Sequence, residues 1–289
     1  MRYLNAEQTR VALPMIDAIE AMEHAFTGDS ETPLRRPLGG SLVMPGRLDD
    51  HMAIKVVSTV PGNPVGLVVV FGGDGSPLGM VDGPTLTAIR TGAVSGLATR
   101  LLADEGARIL AMLGSGAMAF DQVEAVKAVR PIERVLVWSR TPENAEHLAD
   151  RIGGETVTHA DDAVAMADVV SCATPATVPL FEESSVRPCT HVNAVGAFTP
   201  EMAEIPAELL DRAYVVVDDV DAAAAEAGDL IQAGREPNAT LTDVLRDAHP
   251  QIGEDVTIFK SVGVAAQDVA SAQRALENAT LQRLGTELS

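Results

Sequence analysis

The chain has 289 residues, 46% of them hydrophobic and 21% charged, a globular composition that excludes a disordered tail protein. Its 41 acidic and 21 basic residues leave a net charge of -20. A surface this acidic repels phosphates and argues against nucleic acid or an anionic membrane as a partner. The apolar run over residues 56–73 contains prolines and glycines, so we expect no membrane-spanning helix and predict a soluble, cytoplasmic protein.

Neither the cysteines nor the six histidines have the spacing of a metal site, and we predict no bound metal. Cys172 and Cys189 lie far apart, and we interpret both as buried apolar thiols. Asp218, Asp219 and Asp221 follow a predicted strand and are interpreted as a solvated acidic loop.

The first hundred residues predict a helix, a set of short strands and a second helix. The proline- and glycine-rich stretch 33–47 is expected to be irregular. Helices are predicted over residues 16–26 and 84–103, and strands over residues 53–60, 65–71 and 77–81, with turns at residues 61–64 and 72–75. These strands indicate hairpins in an antiparallel or mixed sheet.

From residue 108 onward strands alternate with helices, which is typical of a parallel sheet covered on both faces. The predicted strands are 108–113, 134–138, 169–173, 191–195 and 213–217, and the predicted helices are 117–129, 142–151 and 201–210. Thr141-Pro142 and Thr199-Pro200 each predict a helix start, because a hydroxyl cap precedes a proline. We expect a doubly wound α/β domain, followed by a last helix over residues 264–284 that returns to the first part of the chain.

A glycine-rich loop follows the first strand of this α/β pattern. It reads Gly114-Ser115-Gly116-Ala117-Met118-Ala119, a GxGxxA motif between an apolar strand and a helix. Gly114 permits a tight turn, Gly116 lets backbone N–H groups approach a pyrophosphate, and Ala119 allows close packing of the helix on the strand. The motif predicts dinucleotide binding, and the alternative is a purely structural glycine turn.

The end of the second strand of this domain indicates which nicotinamide cofactor to expect. Proteins that bind NAD usually carry a carboxylate here for the ribose 2′-hydroxyl, whereas this chain reads Ser139-Arg140-Thr141. Arg140 can pair with a 2′-phosphate, and both hydroxyl side chains can donate hydrogen bonds to it. We therefore predict NADPH, and the alternative is NADH with Arg140 as an ordinary solvated residue.

Two basic residues fall inside apolar segments. Lys55 lies within a predicted strand, and Arg90 lies within the helix predicted over residues 84–103. A buried cation needs an anionic partner. Both residues are therefore either members of structural ion pairs or part of a cationic pocket for a substrate carboxylate, joined by Arg35 or Arg36.

Several sequence blocks along nearly the whole chain point together to one family. They are Lys55-Val56-Val57 with Pro61-Gly62-Asn63, residues 86–93, the glycine loop, residues 138–142, Ala173-Thr174-Pro175, residues 192–197 and residues 257–263. In this order they resemble the ornithine cyclodeaminase and mu-crystallin family, which includes alanine dehydrogenases and cyclic ketimine reductases. The resemblance implies a homodimer with an α+β substrate-binding and dimerisation domain, residues 1–103 with 264–289, and a Rossmann-type NAD(P)-binding domain, residues 104–263.

The resemblance also implies roles for individual residues. Lys55 and Arg90 are the implied catalytic residues and bind the substrate carboxylate, with Arg36 and Phe198 also at the substrate. The implied cofactor contacts are Arg90, Thr91, Gly114, Ser115, Gly116, Ala117, Met118, Ser139, Arg140, Thr141, Thr174, Val192, Asn193, Ala194, Val195 and Ser261.

One position departs from the family pattern. Where ornithine cyclodeaminases carry an aspartate, this chain has Phe198, which cannot act as a general acid or base. We therefore predict an oxidoreductase that reduces the C=N bond of a small ketimine carboxylate, such as a cyclic imino acid, with NADPH. The alternatives are an amino-acid dehydrogenase or ornithine cyclodeaminase, and a non-catalytic NADPH-dependent ligand-binding protein.

Overall fold

The structure, a computed structural model, describes residues 1–60, 65–246 and 256–288 and divides into two compact units. The first unit comprises Met1–Ala93 with Val264–Ser289, and the second comprises Val94–Gly263. The sequence predicts a division after residue 103, but the observed division falls after Ala93, inside the helix Gly83–Leu102. The roles predicted for the two domains stay predictions. The turn predicted at residues 61–64, with the Pro61-Gly62-Asn63 block, lies outside the described residues.

The elements alternate as the sequence predicts over most of the chain, with bounds that differ by a few residues. In chain order they are β1 (Arg2–Leu4), α1 (Ala6–Ala12), α2 (Met15–Thr27), β2 (Ser30–Glu31), β3 (Arg36–Leu38), β4 (Ser41–Leu48), β5 (His51–Ser58), β6 (Gly66–Phe71), β7 (Pro77–Asp82), α3 (Gly83–Leu102), β8 (Ile109–Leu113), α4 (Ala119–Val129), β9 (Arg134–Trp138), α5 (Pro142–Ile152), β10 (Glu155–Thr156), α6 (Ala160–Met166), β11 (Val169–Cys172), β12 (His191–Ala194), α7 (Ala207–Arg212), β13 (Ala213–Val217), α8 (Val220–Glu226), α9 (Gly228–Ala233), β14 (Ala239–Thr240), α10 (Leu241–Arg246), β15 (Val256–Lys260), α11 (Ala265–Gln282) and β16 (Thr286–Glu287).

The first unit is built on a mixed sheet with the strand order β16-β1-β7-β6-β5-β4-β2, and β3 also pairs with β4. β1 runs parallel to β7, while the other pairs are antiparallel. One face of the sheet buries Val68, Val70 and Val81 and packs against α11, the predicted C-terminal helix. The prediction of an antiparallel or mixed sheet is therefore confirmed.

The stretch 33–47 is not irregular, contrary to the prediction. It contains β3 and most of β4, which form a hairpin through Gly39, whose φ of 59° suits glycine. Pro45 is tolerated within β4 because it pairs with Ile54 on one side and falls between β3 and β2 on the other. Proline and glycine content alone did not predict the strands of this stretch, because Gly39 lies in the turn and Pro45 lies where β4 has a strand partner on one side only.

The second unit contains an entirely parallel sheet with the order β10-β9-β8-β11-β12-β15-β13-β14. The chain leaves β8 toward β9 and later returns to the other side of β8 with β11. This reversal is the topological switch point at which doubly wound sheets bind ligands, outside the carboxyl ends of their strands. The predicted doubly wound α/β fold is confirmed.

Some local predictions are wrong in this unit. The helix predicted over residues 201–210 begins only at Ala207, because the backbone of Ala203 bonds to Ala176 and that of Glu204 bonds to Asp229. Thr199-Pro200 therefore starts no helix, and Cys189 is exposed rather than buried. The short helices α6, α8, α9 and α10 were not predicted, since each is too short to establish a clear apolar period.

Candidate active site

The glycine loop of the second unit connects β8 to α4. Gly114 has a φ of 115°, and a Cβ at this position would lie 2.7 Å from the carbonyl oxygen of Ala173. A Cβ on Gly116 would meet nothing within 4 Å, so space is open above the loop. Met118, at the N-cap of α4, supplies no side-chain cap to the first N–H groups of the helix. Open space beside a helix N-terminus that has no side-chain cap fits the pyrophosphate of a dinucleotide.

The end of β9 lies beside this loop. The Oγ atoms of Ser115 and Ser139 are 2.8 Å apart, and Arg140 and Thr141 are exposed. Thr141 occupies the N-cap of α5, but its side chain makes no capping hydrogen bond, contrary to the prediction. Its hydroxyl is therefore not used by the helix, and the predicted 2′-phosphate role of residues 139–141 stays a prediction.

Further predicted cofactor contacts of this unit lie within or just after other strands of the same sheet. Thr174 lies just after β11, and its hydroxyl donates to Glu204 at 2.9 Å. Val192, Asn193 and Ala194 are buried within β12, with Val195 directly after them. The amide of Asn193 donates to Thr99 at 2.9 Å, and its oxygen lies 3.2 Å from His191. The side chain of Asn193 is thus engaged inside the unit.

Asp218 is not the solvated residue that the sequence analysis expected. It is buried at the end of β13 and accepts hydrogen bonds from the Ser261 hydroxyl at 2.7 Å and from the backbone N–H groups of Val262 and Gly263 at 3.2 and 2.7 Å. Asp219 caps α8 through the backbone of Ala222. Asp218 therefore fixes Ser261, a predicted cofactor contact, at the carboxyl end of β15.

In the first unit, Lys55 and Arg90 share one carboxylate. Lys55 points inward from β5 and Arg90 from α3, and both are buried. The Lys55 Nζ lies 2.7 Å from Oδ2 of Asp268 on α11, and the Arg90 Nε lies 3.3 Å from its Oδ1. Asp268 was not predicted, because sequence spacing cannot show which of 41 acidic residues faces a buried cation.

Gln267 extends this cluster. Its Oε1 accepts a hydrogen bond from Nη1 of Arg90 at 3.0 Å, which orients its amide nitrogen as a donor. That nitrogen is buried and has no hydrogen-bond partner among the described residues. A buried donor without an acceptor is costly, so the amide nitrogen of Gln267 can donate to one further acceptor that binds at the cluster.

The charge of Lys55 is sensitive to its surroundings. Burial lowers the pKa of Lys55 to about 8, an effect that Asp268 opposes and that the positive charges of Arg90 and Arg35 reinforce. The charge of Arg35 therefore reaches this cluster. Arg36 is exposed on β3, so its predicted substrate role stays a prediction.

The other predicted site residues have different surroundings. Thr91 is buried beside Arg90 on α3, whereas Phe198 is 44% exposed on the loop after β12. In residues 1–60, 65–246 and 256–288 no three His, Cys, Asp or Glu side chains are arranged to hold a metal ion. No helix in these ranges is long and apolar enough to cross a membrane.

Removing the shared carboxylate tests the ion-pair cluster. We expect Asp268→Asn to lower the free energy of unfolding by about 3–5 kcal/mol, because Lys55 and Arg90 would remain buried without a counter-charge. Urea titration measures this change. The matched control is Glu155→Gln, which removes one carboxylate from an exposed pair with Arg134 and should leave stability unchanged. Equal stability of both variants would contradict the burial argument.

Comparison with known proteins agrees with these features. The model of the ornithine cyclodeaminase/mu-crystallin family matches residues 29–282. The ketimine reductase mu-crystallin of Mus musculus is 34% identical over 253 residues, covering 83% of this chain and 81% of that protein. A Δ1-pyrroline-2-carboxylate reductase of Bacillus cereus is 33% identical over 324 aligned positions, covering 100% of this chain and 99% of that protein.

A solved structure gives the same assignment. The Δ1-pyrroline-2-carboxylate reductase of Thermococcus litoralis, in complex with NADH and L-proline, is similar over 100% of both chains, with a TM-score of 0.92 and 30% sequence identity. The family model covers far more than half of the chain, and the similarity to relatives extends from end to end. This chain belongs to the ornithine cyclodeaminase/mu-crystallin family.

Proposed function

We propose that this protein is a reductase of small ketimine carboxylates, such as the cyclic imino acid Δ1-pyrroline-2-carboxylate, and that it uses NADPH, with NADH as a second donor. The observation that carries this proposal is the cluster of two buried cations that share a single carboxylate among the residues that the structure describes. Lys55 and Arg90 together carry one more positive charge than Asp268 balances, and the unpartnered amide nitrogen of Gln267 adds a donor. A substrate carboxylate supplies the missing charge and acceptor.

The residues of each unit have separate tasks in this reaction. Lys55 and Arg90 bind the carboxylate and fix the orientation of the imine. In the second unit, the backbone around Gly116 holds the pyrophosphate of the dinucleotide, whose reduced nicotinamide supplies a hydride. The iminium carbon accepts the hydride and the C=N double bond becomes a single bond, so the product is an amino acid.

The residue at position 198 favours imine reduction over ornithine cyclodeamination. A ketimine can take its proton from solution before it binds, so its reduction needs no acid from the protein. Cyclodeamination requires proton transfers at two substrate amines, which the phenyl ring of Phe198 cannot perform. The same argument separates the proposed activity from that of the cyclodeaminases within the family.

The first experiment is an activity panel on the purified protein. We expect oxidation of NADPH with Δ1-pyrroline-2-carboxylate or Δ1-piperideine-2-carboxylate, and no ammonia from ornithine. Turnover of pyruvate with ammonia alone would instead indicate an amino-acid dehydrogenase. Tight binding of the imines without oxidation of NADPH would indicate a ligand-binding protein, and either result would overturn the proposed function.

Binding of a substrate analogue should depend on pH through Lys55. The lysine is charged below its pKa of about 8 and loses its charge as the pH rises through that value. Affinity for pyrrole-2-carboxylate, whose ring nitrogen does not titrate in this range, should therefore fall from about pH 7 to about pH 9.5. Calorimetric titration measures it. Lys55→Met should bind weakly at every pH, and a parallel decline in this variant would contradict the assignment.

The cofactor preference should depend on Arg140. We expect Arg140→Ala to weaken NADPH binding by roughly 10–100-fold and to leave NADH binding nearly unchanged, since only the 2′-phosphate is lost as a partner. Fluorescence titration of the reduced cofactors measures both affinities. Arg134→Ala, at the opposite end of β9, is the control and should change neither. A native preference for NADH would reject the prediction.

We also propose a cytoplasmic homodimer that forms through the outer face of the first unit's sheet. This face carries apolar side chains opposite the face that packs on α11, namely Met52, Ile54, Val56, Leu67, Val69, Phe71, Leu78 and Met80. Met52, Val56, Leu67 and Leu78 are each at least 38% exposed in the single chain. Contiguous apolar surface of this kind is typical of an interface.

Light scattering on a sizing column tests the dimer. The double variant Val56→Lys with Leu67→Lys places two charges at directly paired positions of the outer face and should yield monomers. Leu281→Lys changes a residue that is 83% exposed on α11 and should remain dimeric. A native monomer, or a dimer that survives the double variant, would exclude this interface.

A further inference from the structure

One buried carboxylate holds two loops together at the carboxyl edge of the parallel sheet. Oε1 of Glu204 accepts hydrogen bonds from the backbone N–H of Thr174 at 2.7 Å and from its hydroxyl at 2.9 Å. Oε2 accepts from the N–H groups of Gly196 and Ala197 at 2.7 and 3.0 Å. Thr174 follows β11 and Gly196 follows β12, so a single side chain ties the ends of two adjacent strands.

A second layer of charges fixes Glu204 itself. Oδ1 of Asp229 accepts from the backbone N–H groups of Glu204 and Ile205 at 2.6 and 2.9 Å. Oδ2 of Asp229 lies 2.7 Å from Nζ of Lys260, which also donates to the carbonyl of Ala197 at 2.5 Å. Glu204, Asp229 and Lys260 are all buried. Lys260 therefore binds the same loop that Glu204 holds, through the carbonyl of Ala197.

The two loops are packed too closely to move independently. A Cβ on Gly196 would lie 2.2 Å from the backbone nitrogen of Thr174 and 2.6 Å from Oε1 of Glu204. All four groups that face the Glu204 carboxylate are donors, so both of its oxygens must be acceptors. Burial raises the pKa of this carboxyl, and the charge of Lys260 is the first influence that opposes the rise.

The strand order assigns these loops to one half of the cofactor. The glycine loop follows β8, and the predicted ribose-phosphate residues follow β9, on one side of it. β11 and β12 lie on the other side of β8, beyond the switch point. A dinucleotide whose pyrophosphate lies at β8 extends to both sides, so the half opposite the adenosine belongs at the ends of β11 and β12.

We propose that Glu204 is a positioning residue for the nicotinamide half of the dinucleotide. It acts by holding Thr174 and the turn that carries Phe198, without touching the cofactor itself. The proposal rests on the proposed use of NADPH or NADH. It predicts that damage to Glu204 weakens recognition of the nicotinamide while the adenosine half is bound as before.

Glu204→Gln is the sharpest test, because it keeps the size of the side chain and replaces one acceptor oxygen with a donor. That nitrogen would face N–H donors and leave one of the two loops without its acceptor. The affinity for NADPH, measured by fluorescence, should fall by roughly 10–100-fold. The affinity for 2′-phospho-ADP-ribose, which lacks nicotinamide, should change less than about twofold in calorimetry. The titrations are repeated with NADH and ADP-ribose. The comparison is judged on whichever cofactor, NADPH or NADH, the native protein binds more tightly, together with the matching ligand that lacks nicotinamide.

Two further variants separate positioning from loss of stability. Glu204→Asp keeps the charge beside Lys260 but is one methylene too short to reach both loops, so it should show the same selective loss. Asp168→Asn removes a carboxylate that accepts from the N–H groups of Arg108 and Ile109 at the opposite edge of the same sheet. It should reduce the unfolding temperature without changing either affinity.

The outcomes distinguish this proposal from the proposed function. Equal losses for the whole cofactor and for the half without nicotinamide, or no loss at all, would overturn the role of Glu204 while leaving the reductase assignment intact. A native protein that binds neither NADPH nor NADH would overturn both. Binding is measured without substrate, so an error in the imine substrate alone affects neither comparison.

Discussion

The need to balance buried positive charge governs both units of this protein. Only three lysines occur in the chain, and two of them, Lys55 and Lys260, end inside it, each 2.7 Å from an aspartate oxygen. The two pairs differ in their surroundings. Lys260 lies between two buried carboxylates, because Asp229 pairs with it and its charge also acts on Glu204, whereas Asp268 must serve both Lys55 and Arg90. A cation that is fully compensated can act as structure, while a cluster with surplus positive charge attracts an anion.

The surplus charge matters more because the chain as a whole is strongly acidic. A net charge of -20 repels an anionic substrate and an anionic cofactor at long range. At moderate ionic strength, salt largely screens this repulsion at distances beyond about 10 Å from the exposed charges, whereas contacts between buried groups are screened much less. In the proposed function, recognition of a carboxylate or a phosphate therefore comes from short contacts, with the Lys55–Arg90 cluster for the carboxylate and the backbone N–H groups around Gly116 for the phosphate. An acidic exterior does not conflict with anionic ligands when the groups in direct contact with them are cations or N–H donors.

The sequence was sufficient where a residue's own neighbours along the chain determine its state. The glycine loop, the parallel strands and the unusual burial of Lys55 and Arg90 were all predictable from local pattern. Partners distant in sequence were not, because Asp268 lies more than two hundred residues after Lys55 and no periodicity relates them. Asp218 and the helix predicted over residues 201–210 failed for the same reason: local acidity suggested solvent and Thr199-Pro200 suggested a cap, but tertiary hydrogen bonds determined both.

Phe198 lies on a loop where the hydrogen bonds that fix the backbone meet the requirements of the proposed chemistry. Glu204 and Lys260 hold its loop through hydrogen bonds to the backbone of Ala197, yet Phe198 is 44% exposed and contributes no titratable group. A cyclodeaminase needs a proton acceptor on such a loop, since an amine must lose its proton before it can attack. A protonated ketimine is already an electrophile, so hydride addition needs a fixed carboxylate and a fixed nicotinamide but no general base. A rigid loop with an apolar tip meets that lesser requirement, and the family fold can thus serve imine reduction without the aspartate.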